Sequence, residues 1–381
     1  MRKRVLVIGR ALPEKRTGMF GIFEYQQSVA LAKEIDASYL FCDLRSFRYH
    51  NKFMHWNQKK DNLHLFGFSA PLGGLPKSWI EHMRTEATCR LIDEYVKQKG
   101  APDIIHVHFP LLTLTEKIVQ RIKNLGCKLI ITEHWTAVQE KKLTNEKVDL
   151  LQAIGSVSSC IICVSEDLKK SVEEYISPRF HNKAILVVPN MVEQCFHFMP
   201  PVESKDYTFM FAGRLEPVKN VDVLIDAFEL AFPDKKDNVK LVINGNGTQY
   251  YELKKKVNGY ADSSRVIMNG VVNRNEMIES YANCNCFISV SELETFGVPF
   301  IESWIVGRPV VCMANSPIRK YLNEKQNGLT IKQFELKSIS MTMKQARETL
   351  FDSAIDISKN ANNIFSESVI VEKLLEIYDK C

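Results

Sequence analysis

Two glutamates, Glu294 and Glu302, flank a glycine turn in the second half of the 381-residue chain, with seven residues between them. Gly297 permits a close backbone approach, and Pro299 suits the first turn of a following helix. A free helix N-terminus after a strand favours phosphate, because its amides and its dipole both attract negative charge. Since carboxylates repel phosphate, the two glutamates are predicted to accept hydrogen bonds from sugar or ribose hydroxyls. On spacing alone, a solvated helix start is an equal alternative.

Two cations, Arg214 and Lys219, follow the apolar run 208–213 and precede a helix pattern that begins at Val221. An arginine fork and a lysine point charge can together neutralise a leaving diphosphate. The chain contains no Asp-x-Asp sequence, the carboxylate pair that usually holds a divalent ion in sugar transfer. This pattern favours charge neutralisation by side chains, with no metal. Ordinary surface cations on a solvated loop are the alternative.

The elements that position these residues are short apolar runs alternating with helix patterns, which is typical of parallel sheets covered on both faces. The predicted strands are 5–9, 104–108, 128–132, 161–164 and 185–189, then 208–213, 240–244, 265–268, 286–289 and 309–313. We predict an α/β fold of two Rossmann-like domains, 1–198 and 199–365, whose strand ends face a cleft. The segment 366–381 carries an apolar helical stripe and is predicted to pack back on the first domain.

Charge and hydropathy exclude several classes of protein. The formal charge of +5, from 50 basic and 45 acidic residues, is too small to indicate nucleic-acid binding. No window reaches the roughly 20 apolar residues of a membrane span, and the apolar run after the basic start is shorter than a signal peptide's core. We therefore expect a cytoplasmic protein. Its ten cysteines are expected to be reduced, with Cys160 and Cys163 inside a buried strand.

In the first half of the chain, the candidate site residues are a glycine pair and three histidines that lie on or just after predicted strands. Gly18 and Gly21 precede a helix pattern, and a plain turn is as good an interpretation of them as a ligand loop. His134 follows the predicted strand 128–132, at the end where such sheets bind ligands, although a core histidine is the alternative. His106 and His108 share one face of a predicted strand. No third metal ligand is evident near them in the sequence, so they are interpreted as structural.

The Glu-x7-Glu segment resembles the signature of the large family of retaining glycosyltransferases with the GT-B fold, known as group 1 or family 4. The resemblance covers nearly the whole chain and is strongest over 208–312. It implies that Glu302 binds the donor ribose and that Glu294 contacts the donor sugar, while Arg214 and Lys219 stabilise the leaving diphosphate. By the same resemblance, Arg214, Lys219, His134 and Glu294 form the catalytic group, and the other donor contacts come from Gly18, Gly21, Gly213, Asn244, Gly245, Phe296, Gly297 and Val298.

The resemblance implies transfer of a hexose, with retention of configuration, from a nucleotide-diphosphate sugar to a glycan or lipid-linked acceptor. Neither a metal nor another cofactor is expected, and cell-surface polysaccharide or glycolipid synthesis is the implied biology. A nucleotide-sugar epimerase, which would release an isomer without acceptor, stays open. So does a noncatalytic partner that binds sugar nucleotides. The basic and aromatic stretch 45–62, with 67–76 after it, fits either a peripheral contact with the inner membrane surface or a solvated loop.

Overall fold

The computed structural model describes residues 3–14, 19–176, 183–260 and 263–381. The strands are β1 (Arg4–Gly9), β2 (Asp36–Asp43), β3 (Met54–Lys60), β4 (Leu63–Ser69), β5 (Ile104–His108), β6 (Lys128–Glu133), β7 (Cys160–Cys163), β8 (Ala184–Val187), β9 (Tyr207–Ala212), β10 (Val239–Asn244), β11 (Val266–Gly270), β12 (Cys286–Ile288), β13 (Val310–Met313) and β14 (Gly328–Ile331). The α-helices are α1 (Ile22–Leu31), α2 (Lys77–Lys99), α3 (Pro110–Thr113), α4 (Glu116–Lys123), α5 (Thr136–Gln139), α6 (Asn145–Val157), α7 (Glu166–Ile176), α8 (Val221–Ala231), α9 (Tyr250–Asn258), α10 (Arg274–Ala282), α11 (Val298–Val306), α12 (Leu336–Glu348), α13 (Ala354–Phe365) and α14 (Glu367–Lys380).

The chain divides into two compact units, each built on one sheet. The first unit comprises Met1–Met191 and Glu367–Cys381, and its strands run in the order β3-β4-β2-β1-β5-β6-β7-β8. The second unit comprises Val192–Ser366, with the order β11-β10-β9-β12-β13-β14. All strand pairs are parallel except β3 with β4. The mixed α/β architecture with two Rossmann-like sheets, predicted from the alternation of apolar runs and helix patterns, is confirmed.

The antiparallel pair β3–β4 forms an edge hairpin in the first unit. Its turn is made by Asp61 and Asn62, whose φ angles of 53° and 61° suit the tight turns that match strand twist. A solvated loop was one of two interpretations of 45–62, the other being a membrane contact, and neither included strand β3. The exposed Lys59 and the partly exposed Lys60 on this edge strand discourage pairing with another chain.

Helix α14 returns to the first unit and completes its core. Its buried residues Ile370, Leu374 and Tyr378 belong to the same apolar cluster as Val5 and Val7 of β1. The Tyr378 hydroxyl also lies 2.6 Å from Nδ1 of a buried histidine on β5. Burial of this apolar stripe explains why a helix so distant in sequence belongs to the sheet that begins the chain.

The segment that begins at Val192 groups with the second unit, a few residues before the predicted domain boundary. The Val192 amide donates to the carbonyl of Phe365 at 3.1 Å. Arg308 donates to the carbonyls of Met199 at 2.9 Å and Pro200 at 3.2 Å. Among the residues that the structure describes, no helix combines the length and the apolar character needed to cross a bilayer.

Candidate active site

Lys219 and Glu294 meet in the second unit because their loops follow neighbouring strands, β9 and β12. The Glu292 amide donates to the Val218 carbonyl at 3.1 Å, which fixes one loop against the other. Nζ of Lys219 then lies 2.5 Å from Oε1 of Glu294, and each side chain is only 18% exposed. Two residues predicted to act on different parts of a donor therefore form a partly buried ion pair with each other.

The N-terminus of α11 lies beyond Glu294. Gly297 caps it with a φ of 97° and, as a glycine, provides no side-chain cap. Within the first turn, Pro299 has no N–H, and the Phe300 amide donates to the Gly297 carbonyl at 3.1 Å. A Cβ at this position would lie 2.8 Å from Cδ2 of Phe300, so glycine is required by both conformation and space. Phe296 is buried, which leaves its backbone as the only part suited to a ligand, and Val298 begins the helix. The backbone amide of Val298 and the helix dipole favour an anion at this turn.

Arg214 follows β9 and is exposed, and its guanidinium has no ion-pair partner among the described residues. Next to Arg214, the backbones that follow β9 and β10 approach each other closely, and the Gly213 amide donates to the Asn244 carbonyl at 3.0 Å. A Cβ at Gly245 would lie 1.8 Å from the carbonyl oxygen of Gly213, so only glycine fits there. The absence of a Cβ at Gly245 thus lets the turns after β9 and β10 pack closely, beside the exposed Arg214.

The Asn244 side chain is fully buried at the end of β10. Its Oδ1 accepts a hydrogen bond of 2.8 Å from Nδ2 of Asn269 on β11. Within the described part of the chain, its own Nδ2 has no hydrogen-bond partner. The side chain therefore supports the turn in this structure, and donor contact at this position remains a prediction.

Glu302 lies in α11, one turn inside the helix, and is buried. Its Oε1 lies 3.3 Å from Nη1 of Arg274, and its Oε2 accepts a hydrogen bond of 2.9 Å from the Tyr281 hydroxyl. Arg274 also pairs with Glu193. Burial raises the pKa of Glu302, and the contacts with Arg274 and Tyr281 oppose that rise. Arg274 and Tyr281 were not predicted from the sequence, because they carry no motif and reach Glu302 only through the packing of α10 on α11.

In the first unit, His134 follows β6 and is buried. Its Nε2 lies 3.0 Å from Nδ1 of His108, so one of these nitrogens donates to the other. The imidazole stacks on Phe109 with a centroid distance of 4.6 Å. Burial, reinforced by the charge of Arg10, lowers the pKa of His134 well below its usual range. Its Nδ1 is buried and has no hydrogen-bond partner among the described residues. A neutral imidazole can form a hydrogen bond without adding charge.

Two further buried groups surround this histidine. Oε1 of Glu133 accepts hydrogen bonds from the amides of His134 and Trp135 at 2.9 and 2.8 Å, and burial raises its pKa to about 7. His106 bonds Tyr378 and, at 2.7 Å, Oγ1 of Thr132. Both ring nitrogens of His106 are therefore occupied by protein partners, as a structural role requires.

Of the predicted glycine pair, Gly21 belongs to the described residues and Gly18 lies outside them. Gly21 caps α1 with a φ of 87°, and a Cβ there would lie 2.3 Å from the Ala11 carbonyl oxygen. Arg10, which was also not predicted from the sequence, directly follows β1, and its Nε lies 2.7 Å from Oε1 of the buried Glu24. It stands at a strand end, as His134 does, so the same positional argument could have identified it.

All ten cysteines are free thiols in the structure, and Cys160 and Cys163 lie in the buried strand β7. Burial raises the pKa of both thiols, which keeps them protonated and poorly reactive. Cys160 and Cys163 are therefore surrounded as core residues are.

Comparison with known families agrees with this architecture. The profile of the family described as Glycosyl transferases group 1 matches residues 192–363. The profile described as Glycosyltransferase Family 4 matches residues 65–194. The chain is therefore a GT-B glycosyltransferase of group 1. The resemblance inferred from the residues around Glu294 and Glu302 is confirmed at this level.

Curated relatives are distant. Alpha-monoglucosyldiacylglycerol synthase from Streptococcus pneumoniae is 26% identical over 178 residues, which cover 44% of this chain and 40% of the relative. One component of the human phosphatidylinositol N-acetylglucosaminyltransferase is 22% identical over 75% of this chain and 59% of its own. The matched stretches thus span only about half the length of these two relatives.

Solved structures share the fold over the full chain. Sucrose-phosphate synthase from Thermosynechococcus elongatus superposes with a TM-score of 0.74 at 15% identity, covering 100% of this chain and 99% of the other. Anabaena HepE, in complex with UDP and glucose, gives a TM-score of 0.71 at 14% identity and covers 100% of both chains. At such identities the likeness concerns the GT-B fold.

Proposed function

We propose that this chain transfers a hexose from a nucleotide-diphosphate sugar to a glycan or lipid-linked acceptor, with retention of configuration and without a metal ion. The observation that carries the proposal is the Lys219–Glu294 pair beside the free start of α11, with the exposed Arg214 on the loop after β9. Cations and a helix N-terminus suit a pyrophosphate, and a carboxylate suits sugar hydroxyls.

Donor binding would replace the ion pair between Lys219 and Glu294 with contacts from each side chain to the donor. Before binding, Glu294 compensates the charge of Lys219 at 2.5 Å. A bound donor would direct Lys219 to the diphosphate and leave Glu294 to accept hydrogen bonds from the sugar. Arg214 and Lys219 would then stabilise the charge that develops on the leaving phosphate, which is the largest electrostatic requirement of the reaction. His134 remains a predicted contact with the donor sugar, by family resemblance.

The names of two curated relatives support a lipid-linked acceptor. One is named for a glucosyldiacylglycerol product and another for N-acetylglucosamine transfer to phosphatidylinositol, so both names refer to lipids. Anabaena HepE was solved with UDP and glucose. A nucleoside diphosphate donor and a lipid-linked or glycan acceptor are therefore the substrates to test first, with cell-surface polysaccharide or glycolipid synthesis as the proposed biology.

The test uses Arg214→Ala and Lys219→Ala, with turnover and nucleotide affinity measured separately. UDP, GDP and ADP sugars serve as donors, and stabilisation by the nucleotides identifies the base. We expect each variant to lose on the order of 10²–10³ in turnover, by analogy with the removal of one oxyanion donor. Lys240→Ala is the matched control, since Lys240 pairs with Asp206 at 2.5 Å near the opposite, amino end of β10. Full turnover in both site variants would refute the electrostatic assignment.

Retention and metal independence have their own readouts. The anomeric proton coupling of the product reports configuration directly, and a product of inverted configuration would refute a retaining reaction. Turnover that persists in excess EDTA is expected, because the arginine and lysine supply the positive charge. Donor isomerisation without acceptor would instead identify an epimerase, and donor binding without any hydrolysis or transfer would identify a noncatalytic partner.

A further inference from the structure

A pocket of about 260 Å³ lies at the carboxyl ends of β1 and β2, and all its lining residues belong to the first unit. Its walls are largely apolar and include Ile8, Leu40, Leu44, Ile80 and Leu112. Apolar pockets with a few placed polar groups are the usual form of small-molecule sites. The polar groups at this pocket therefore decide which chemistry it suits.

Three arginines line the pocket, and two of them are already compensated. Nε of Arg10 lies 2.7 Å from Oε1 of the buried Glu24. Nη2 of Arg45 lies 2.7 Å from Oδ2 of Asp43. The third is Arg84, on α2. The net positive charge of the pocket thus depends on Arg84.

Arg84 is only loosely paired. Its Nη2 lies 3.8 Å from Oε1 of Glu81, beyond hydrogen-bond distance. Its Nε is buried and has no hydrogen-bond partner among the residues the structure describes. A buried, bare guanidinium N–H is costly unless an acceptor meets it, and an anion is the best acceptor. We propose that this pocket binds the acceptor of the glycosyl transfer, and that the acceptor carries a phosphate, held by Arg84, next to an apolar group.

The pocket lies close to the histidine predicted to contact the donor. The Arg10 guanidinium lies 3.3 Å from the centroid of Phe109, and the Phe109 ring stacks on His134. A molecule with its phosphate at Arg84 can therefore extend towards His134 along the Arg10 side. This assignment as an acceptor site rests on the proposed function.

Large apolar side chains are exposed next to the lining residues. Trp79, at 64% exposure, precedes Ile80, and Met83 precedes Arg84 on the same helix. Trp79 and Met83 are four residues apart and share one face of α2, adjacent to the face that carries Ile80 and Arg84. The phosphate could belong to a lipid or to a soluble sugar phosphate, and the experiment separates the two sources.

The first measurement is binding without a donor, by calorimetry, with octyl phosphate, inorganic phosphate and octyl glucoside as probes. We expect octyl phosphate to bind more tightly than either of the other two, because only it offers both an anion and an apolar group. Arg84→Gln should weaken octyl phosphate binding about tenfold to a hundredfold, the loss expected for a charge-assisted hydrogen bond. Arg84→Lys, which keeps the charge without the fork, should lose less. Arg90→Gln, exposed on the same helix, should bind as the wild type does.

Equal octyl phosphate affinity in the Arg84 and Arg90 variants would overturn the proposal, as would equal affinity of the wild type for octyl phosphate and octyl glucoside. A second measurement follows nucleotide release from the donor with phosphatidylglycerol vesicles, which offer a phosphate and free hydroxyls, or with soluble glucose 6-phosphate. Arg84-dependent release with either source supports the acceptor role and identifies that source. Release that is the same in wild type and Arg84→Gln with both sources overturns it. Since probe binding needs no donor, failure of the Arg214 and Lys219 test leaves the binding result intact.

Discussion

Glu133→Gln tests the electrostatics around His134 through the pH dependence of stability. The Glu133 carboxyl is buried, and its pKa rises from 4.5 to about 7. A carboxyl whose pKa is higher in the folded state than in the unfolded state makes a contribution to stability that depends on pH. This contribution is fully present below pH 4.5 and is lost as the pH rises to about 7. At about 1.4 kcal/mol per pH unit, the free energy of unfolding changes by about 3 kcal/mol over this interval. The glutamine keeps an oxygen for the two backbone amides and cannot ionise.

The assay is urea unfolding of wild type, Glu133→Gln and Glu146→Gln between about pH 5 and about pH 8. Over this range the advantage of Glu133→Gln over wild type should grow by about 2.5 kcal/mol and level off above about pH 7. Any cost of the new amide group is constant with pH, so the slope is the readout. The exposed Glu146 at the start of α6 is the control, and its variant should follow wild type. Parallel curves for wild type and Glu133→Gln would refute the reasoning.

Three further substitutions probe the contacts that shape each unit, with unfolding free energy as the measurement. Gly297→Ala should cost about 1–2 kcal/mol from its positive φ, plus the clash with Phe300, and a neutral result would mean that the turn relaxes freely. Tyr281→Phe should cost about 1.5–3 kcal/mol, because it removes a hydrogen bond to the buried Glu302, and a smaller loss would show that the carboxylate finds another partner. Tyr378→Phe should cost about 1 kcal/mol by leaving a buried histidine nitrogen bare; no change would indicate that α14 contributes through apolar burial alone.

Much of the fold could be predicted because its central strands are continuous apolar runs. Strand β1 contains Val5 to Ile8 and β5 coincides with the predicted 104–108, since both are covered on both faces. Strand β2 was missed because Ser38 interrupts its apolar residues and because Asp36 and Asp43 stand at its two ends. Periodicity alone does not distinguish such a strand from a loop.

The site residues were easier to identify than their partnerships. Lys219 and Glu294 both stand at strand ends, which the sequence shows. Their pairing depends on β9 lying next to β12, although the two strands are far apart in sequence. The local sequence pattern does not show which strands are neighbours in a sheet. The contact between Arg274 and Glu302 likewise arises from helix packing.

The discontinuous make-up of the first unit affects how the protein can fold as it is synthesised. Helix α14 supplies Ile370, Leu374 and Tyr378 to a core that begins with β1, so that core stays incomplete while the intervening residues are being translated. The second unit is a continuous stretch and contains all its own strands. On the ribosome it can therefore reach its full set of contacts first, although it is encoded later than most of the first unit. Apolar surface on the β1 sheet stays accessible to chaperones until the last helix emerges.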